Sequence, residues 1–171
     1  MDPVAKFADE AAAFERWLLS GMDREADAAR ECLIRLLELY RAAIGLPPEW
    51  SDELEARADV ERVDDTEWRT AYEASRRLPL NHYVDVFDPT AVPPDAAVVG
   101  NISDDLADIY RDVVTGLRAY RRGDRAGAVW EWSFGLHSHW GAHATAAIRA
   151  LHWWLCNNAA SRLSASGDEA G

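Results

Sequence analysis

Four of the five histidines and five of the eight tryptophans lie in one segment, residues 128–154. Within this segment His139 and His143 are four residues apart, so on a helix both imidazoles lie on one face and can converge on one metal ion. The residue after His139 is Trp140, which excludes the HExxH motif of zinc proteases because that motif needs a glutamate there. The histidine pair is therefore a candidate for two ligands of a divalent transition metal.

Two histidines leave a metal ion incompletely bound, and the other ligands must come from elsewhere in the chain. The run SDDLADIYRD contains Asp105, Asp108 and Asp112, which share one face of a predicted helix. Relative to the apolar stripe of that helix, Asp105 and Asp112 lie at the flank, whereas Asp108 points nearly away from it. We therefore expect Asp105 and Asp112 to be the better ligand candidates, and His82 is a further one.

The same residues also have a structural interpretation that involves no metal. Half-buried histidines often form hydrogen bonds with carbonyls or carboxylates, and pairs four residues apart arise by chance in histidine-rich helices. Aspartates along one side of an amphipathic helix usually form a solvated face. A catalytic pair of His139 with an aspartate is a third interpretation. We find no glycine-rich phosphate loop, no GxSxG motif and no Cys/His dyad at a recognisable spacing.

Composition and charge limit the classes of partner. With 49% hydrophobic and 28% charged residues, the chain has the profile of a soluble globular protein. Its net charge of −12 repels nucleic acid and anionic membranes. The sequence has no apolar run long enough for a transmembrane helix and no visible secretory signal, so we expect a cytoplasmic protein. Cys32 and Cys156 form no CxxC motif, and we expect both to be buried thiols.

The elements that must position these residues are helices separated by glycine and proline breaks. Apolar residues recur at helical spacing between the breaks, which predicts an all-α bundle of about five helices. Asp64 and Glu67 have the spacing of a capping box. Asn101 or Ser103 can cap the following helix, and Asp124 can cap the last one.

The last predicted helix, over residues 125–160, is apolar around most of its circumference. Such a helix is expected in the centre of a bundle or against a partner subunit. Residues 80–100 contain three prolines and predict an extended loop that lies across the bundle. We expect a single helical domain over residues 1–163 and a flexible polar tail over residues 164–171.

Three blocks of the sequence resemble the hallmark blocks of a family of bacterial helical proteins of unknown function. The blocks are YVDVFDP (83–89), VVGNISDDLADIYRDVVTGL (98–117) and AVWEWSFGLHSHWGAHATAAIRALH (128–152). The combination of DDLADIYRD with WEW and HWGxH is the most specific part, and the resemblance covers mainly residues 80–155. It implies a single all-α domain in a cytoplasmic bacterial protein, and it implies no particular activity.

Two hypotheses about function follow. The first is a non-enzymatic cytoplasmic module without a cofactor, which binds an unknown protein partner or a second copy of itself through its aromatic helix. The alternative is a metal-binding helical-bundle protein, with hydrolysis as its candidate activity. In that alternative His139 and His143 bind a divalent transition metal, and Asp105, Asp112 or His82 completes the site. Neither hypothesis involves nucleic acid or a membrane.

Overall fold

The structure, a computed structural model, describes residues 2–20, 25–47 and 60–167. These residues form six helices and two short strands, which confirms the predicted all-α fold. In chain order the elements are α1 (Pro3–Ser20), α2 (Glu25–Ile44), α3 (Asp65–Ser75), β1 (His82–Asp85), β2 (Val98–Asn101), α4 (Ile102–Arg121), α5 (Arg125–Ser138) and α6 (Trp140–Gly167). None of the described helices is both long enough and apolar enough to cross a lipid bilayer.

Helix α4 occupies the centre of the bundle. It packs against α1, α3, α5 and α6, and 13 of its 20 residues are buried. Helix α6 is the longest helix, with 28 residues, and packs against α2, α4 and α5. The central position that we expected for the C-terminal helix thus belongs to α4. Because neighbouring helices surround α4, its aspartates are not a solvated face.

The last helical segment is divided into two helices at His139. This residue has φ −149° and ψ −82°, which lie outside the helical region. Gly141 lies against the preceding turn, where a Cβ atom would come within 2.0 Å of the carbonyl oxygen of Leu136. The single helix that we expected over residues 125–160 is therefore replaced by α5 and α6. Helix α6 continues to Gly167, into the predicted tail, whose flexibility stays a prediction.

Residues 80–100 are not a loop throughout, because β1 and β2 pair in an antiparallel two-stranded ribbon. His82 lies opposite Asn101 and Tyr83 lies opposite Gly100 in its register. A Cβ atom at Gly100 would lie 2.3 Å from the Tyr83 ring, so glycine permits the ring to cross β2. The extended loop that we expected over residues 80–100 therefore contains two paired strands. Residues 86–97 connect β1 to β2, so both strands of the pair come from this one segment.

The predicted helix caps are confirmed. Asp64 accepts hydrogen bonds from the backbone at Thr66 and Glu67, and the Glu67 carboxylate completes the capping box. Asn101 caps α4 and Asp124 caps α5. These caps fix where α3, α4 and α5 begin.

Trp132 joins α5 to the central helix, and Trp140 joins α6 to α5. The indole nitrogen of Trp132 donates to the carbonyl oxygen of Val113 at 2.9 Å, and that of Trp140 donates to the carbonyl oxygen of Trp132 at 3.1 Å. Both side chains are fully buried. A Cβ atom at Gly116 would lie 2.3 Å from Trp132, so α5 approaches α4 closely at this glycine. The segment that carries His139 is thereby held against α4.

The two cysteines differ in environment. Cys32 is fully buried, and burial raises the pKa of its thiol. Cys156 is exposed on α6, with its Sγ 3.8 Å from Nε2 of His152. The expectation of a buried thiol is therefore wrong for Cys156, because it lies on the outward side of α6.

Candidate metal centre

His143 on α6 forms the more buried of two histidine–aspartate pairs. Its Nδ1 lies 2.8 Å from Oδ1 of Asp105, and the Asp105 side chain is only 7% exposed. The hydrogen bond to Asp105 raises the pKa of His143. The other oxygen of Asp105 accepts a hydrogen bond from the Tyr83 hydroxyl at 2.8 Å. Asp105 is thus held between α6 and the β1–β2 ribbon, and it fixes the orientation of the His143 ring.

His139 forms the second pair at the α5–α6 break. Its Nδ1 lies 2.8 Å from Oδ2 of Asp112, and 46% of the histidine side chain is exposed. The rings of His139 and His143 are nearly perpendicular, with centroids 4.9 Å apart. Because each histidine forms its close hydrogen bond through Nδ1, the Nε2 atoms of both rings remain as candidate metal ligands.

Asp108 provides the third candidate ligand. Its Oδ2 lies 3.7 Å from Nε2 of His143, which is the ring atom opposite the bond to Asp105. Its Oδ1 accepts a hydrogen bond of 2.8 Å from the indole nitrogen of Trp68 on α3. Trp68 is itself held by stacking on Tyr72 and by the Arg111 guanidinium over its ring. This hydrogen bond uses Oδ1, so Oδ2 of Asp108 remains free to face the histidines.

The three side chains place their ligand atoms close to one another. One ring nitrogen of His139, one of His143 and one carboxylate oxygen of Asp108 all lie within 4.8 Å of one another. Two ligands at about 2.0–2.1 Å from a tetrahedral zinc ion are roughly 3.4 Å apart. The 3.7 Å between His143 and Asp108 is already close to that spacing, and the ligand nitrogen of His139 lies within 4.8 Å of both atoms.

The structure brings together most of the residues that the sequence proposed, in a different arrangement. Asp105 and Asp112 lie behind the histidines, at Nδ1, instead of beside Nε2. Asp108, which we expected to point nearly opposite the apolar stripe, contacts Trp68 of α3 and faces His143 of α6. His82 is exposed on β1 and does not belong to the three-residue cluster in the described part of the chain.

Sequence reasoning missed Trp68 and Tyr83 as positioning residues. The sequence pattern connected neither of them to the aspartates. Their hydrogen bonds span 40 and 22 residues of sequence, so no local spacing indicates them. The only available signal was that both carry a polar hydrogen-bond donor on an aromatic ring.

The carboxylates of α4 create a negative potential at the site. Burial raises the pKa of Asp104, and the neighbouring charges of Asp108 and Asp105 raise it further. A dication close to these groups would relieve their mutual repulsion. The site therefore favours a cation over an anion.

A cleft of about 200 Å³ opens beside His139 and Asp112. The stacked rings of Trp130 and Phe134, with centroids 4.9 Å apart, form one of its walls. Glu131 also lines this cleft, and burial raises the pKa of its carboxyl. His139 is thus accessible from solvent, whereas His143 lies deeper.

Comparison with known proteins agrees with the fold and does not supply an activity. The crystal structure of protein BF1032 from Bacteroides fragilis is similar, with a TM-score of 0.71 and 21% sequence identity over 88% of this chain and 90% of that chain. At this identity the similarity shows the fold alone. Among curated proteins, none matches this chain.

The family resemblance of the DDLADIYRD and HWGxH blocks is confirmed. A family model matches residues 4–157, which include every residue of the candidate metal centre. The function of that family is unknown. The chain belongs to the family described as a domain of unknown function, DUF5063.

Proposed function

We propose that this protein binds one divalent transition metal ion through Asp108, His139 and His143. The observation that carries the proposal is the convergence of these three side chains, whose ligand atoms lie within 4.8 Å of one another. Two imidazoles and one carboxylate suit zinc, iron and similar metals.

The surroundings of the two histidines support the proposal. In metal sites a ligating histidine usually donates its other ring N–H to a carboxylate, which fixes the tautomer and the ring orientation. Asp105 and Asp112 stand in this relation to His143 and His139, both at 2.8 Å from Nδ1. Asp105 and Asp112 would therefore act behind the ligands, and Asp108 would be the ligating carboxylate.

Three protein ligands leave coordination positions for water or a substrate, as in catalytic zinc sites. A bound metal there would act as a Lewis acid and would lower the pKa of a bound water. The exposure of His139 beside the cleft lets a small molecule reach this side of the site. Hydrolysis is the candidate activity on these grounds.

A network of hydrogen bonds without metal is the main alternative. It accounts for the two Nδ1 bonds, and a protonated His143 would also pair with Asp108 through Nε2, at 3.7 Å. The hydrogen bond from Trp68 fixes Asp108 in that position. The metal proposal also accounts for the position of His139, because one of its ring nitrogens lies within 4.8 Å of the ligand atoms of both other residues.

Calorimetric titration of the metal-free protein with zinc distinguishes these two alternatives. We expect one site in the wild type and loss of that site in His139→Ala and in His143→Ala. His82→Ala is the matched control, because it removes an exposed histidine outside the cluster and should bind zinc normally. Equal zinc binding by all four proteins would contradict the proposal.

A protein-interaction role is the second candidate, supported by the stacked pair of Trp130 and Phe134 at the surface. Phe134 is 43% exposed, although it is a large apolar residue. Such a surface suits a protein partner or a second copy of the chain. The net charge of −12 supports a partner other than nucleic acid. In this second proposal the protein acts in the cytoplasm. Light scattering of Phe134→Ser tests self-association, since a mass equal to that of the wild type would exclude a homodimer through this surface.

A further inference from the structure

A second cleft, of about 370 Å³, lies between the β1–β2 ribbon and α6. Leu80, Tyr83 and Val84 line the ribbon side, and Arg149, Trp153 and Trp154 line the α6 side. None of the candidate metal ligands lines this cleft, so any ligand of the cleft would bind apart from the metal. Its volume is in the range of small-molecule sites, which are about 300–1,000 Å³.

Two large apolar side chains remain in water on opposite walls of this cleft. Trp153 is 62% exposed and Val84 is 68% exposed. Burial of such side chains is favourable by roughly 25 cal/mol per Å² of apolar surface. A flat apolar molecule in the cleft would cover both of them, and the indole rings suit an aromatic ligand.

The walls of the cleft are ordered by hydrogen bonds. Tyr83 is fixed through its hydroxyl to Asp105. One terminal nitrogen of Arg149 donates to the carbonyl oxygen of Val84 at 3.1 Å and to Asp85 at 2.5 Å. These two hydrogen bonds from Arg149 hold the ribbon over α6. A site that is already formed loses little conformational entropy when a ligand binds.

Arg149 also supplies positive charge at the cleft. Among the described residues, its hydrogen bonds involve a single terminal nitrogen, so the remaining donors of the guanidinium fork can meet another group. The Arg149 side chain is 50% exposed. A carboxylate would pair with this guanidinium through Nη1, beside the existing ion pair with Asp85.

From these observations we propose that the cleft between β1 and α6 binds a small aromatic carboxylate. The aromatic body lies against Trp153 and Val84, and the carboxylate accepts hydrogen bonds from Arg149. The proposal does not rest on the metal proposed above, although Tyr83 of this cleft donates a hydrogen bond to Asp105.

Binding of naphthalene-2-carboxylate, measured by calorimetry on the full chain, tests the proposal. We expect saturable binding by the wild type and its loss in Trp153→Ala. Trp130→Ala is the matched control, because it removes a tryptophan from the other cleft and should bind as the wild type does. Absence of saturable binding by the wild type, or full affinity in Trp153→Ala, would overturn the proposal.

The role of Arg149 needs a second comparison. Arg149→Gln should weaken binding of the carboxylate by about tenfold or more, since a charge-assisted hydrogen bond is lost. Asp85→Asn weakens the ion pair between Arg149 and Asp85 but keeps the guanidinium, so this variant should still bind the carboxylate. Equal weakening in both variants would overturn the role of the charge. Equal wild-type affinity for naphthalene-2-carboxamide would also overturn it.

Discussion

Around His143, two aspartates each have both carboxylate oxygens directed at a defined neighbour. Asp105 uses one oxygen for His143 and the other for Tyr83. Asp108 uses one oxygen for Trp68 and directs the other towards His143. This division of roles fixes both side chains before any ligand arrives, which is what a preorganised binding site requires.

The first prediction concerns Asp105 as a positioning residue. In Asp105→Asn one of the two carboxylate oxygens becomes an NH2 group, which cannot accept a hydrogen bond from Tyr83 or His143. Zinc affinity, measured by calorimetry, should fall about 10–100-fold, which is typical for loss of such a partner. Asp95→Asn, on the exposed turn of the ribbon, is the control and should bind zinc normally. Wild-type affinity in Asp105→Asn would show that Asp105 does not support the site.

The second prediction concerns Glu67, whose pKa the Arg118 guanidinium holds below its ordinary value of 4.5. A carboxyl with a lowered folded-state pKa stabilises the protein above its unfolded-state pKa, and this stability is lost as the pH falls through the folded-state value. Glu67→Gln should therefore unfold at lower urea concentration at pH 7, and the difference from the wild type should shrink below pH 4.5.

Glu73→Gln on the same helix is the control for Glu67. Its ion pair with Arg76 is exposed on both sides, so its removal should change stability little at either pH. A difference between Glu67→Gln and the wild type that does not depend on pH would contradict the assigned role of Arg118.

At the residue scale, spacing in the sequence indicated most of the candidate site. The four-residue separation of His139 and His143 and the shared face of the three aspartates depend only on helix geometry. The sequence could not predict that Asp108 faces Nε2 of His143, whereas Asp105 and Asp112 bind the Nδ1 atoms. This arrangement depends on the packing of α3 and α6 against α4, which a helical wheel for α4 does not contain.

Among the elements, the break between α5 and α6 is the feature that positions His139. The break places His139 outside the helical backbone while Asp112 holds its ring. Gly141 permits the break, because a Cβ atom at this position would clash with the carbonyl oxygen of Leu136. The sequence has glycines at 135 and 141, but the position of the break depends on this one contact.

The third prediction tests that contact. Gly141→Ala would put a Cβ atom 2.0 Å from a backbone oxygen, which cannot move away as a flexible side chain can. We expect a loss of about 1–3 kcal/mol in the free energy of unfolding and weaker zinc binding, because His139 shifts. Gly45→Ala is the control, since its nearest atom would be at an ordinary 3.4 Å. Unchanged stability in Gly141→Ala would contradict this account of the break.

The pairing of β1 with β2 was not predicted from the sequence. Tyrosine, valine and phenylalanine after His82 favoured extended backbone, and the prolines excluded a helix. The pairing of β1 with β2 joins segments on either side of these prolines, so it depends on how the turn closes. The caps at Asp64, Asn101 and Asp124 were predictable because each depends on a few adjacent residues.

For the whole molecule, the core around the central helix determines whether the site exists. Trp132 fills the space between α5 and α4 and is fully buried. Caps, breaks and periodicity predicted a helical bundle. They did not predict that α4 would be its centre, because the segment over residues 125–160 is apolar around most of its circumference and therefore indicated the C-terminal helix instead.

The fourth prediction follows from this core. Trp132→Ala should reduce the free energy of unfolding by about 3–5 kcal/mol, because it leaves a cavity and frees the Val113 carbonyl oxygen. Urea unfolding followed by circular dichroism measures the loss without depending on tryptophan fluorescence. Trp153→Ala, at a side chain 62% exposed, should change stability far less. Similar losses in the two variants would contradict the assignment of Trp132 to the core.

The metal content of untagged protein purified without chelator tests the central claim most directly. The wild type should carry close to one divalent transition metal ion per chain, or take it up from excess zinc. Asp108→Asn should carry none, since it removes the ligating carboxylate and keeps the shape of the side chain. Protein that neither carries metal nor takes up zinc, or equal metal in both proteins, would contradict the account.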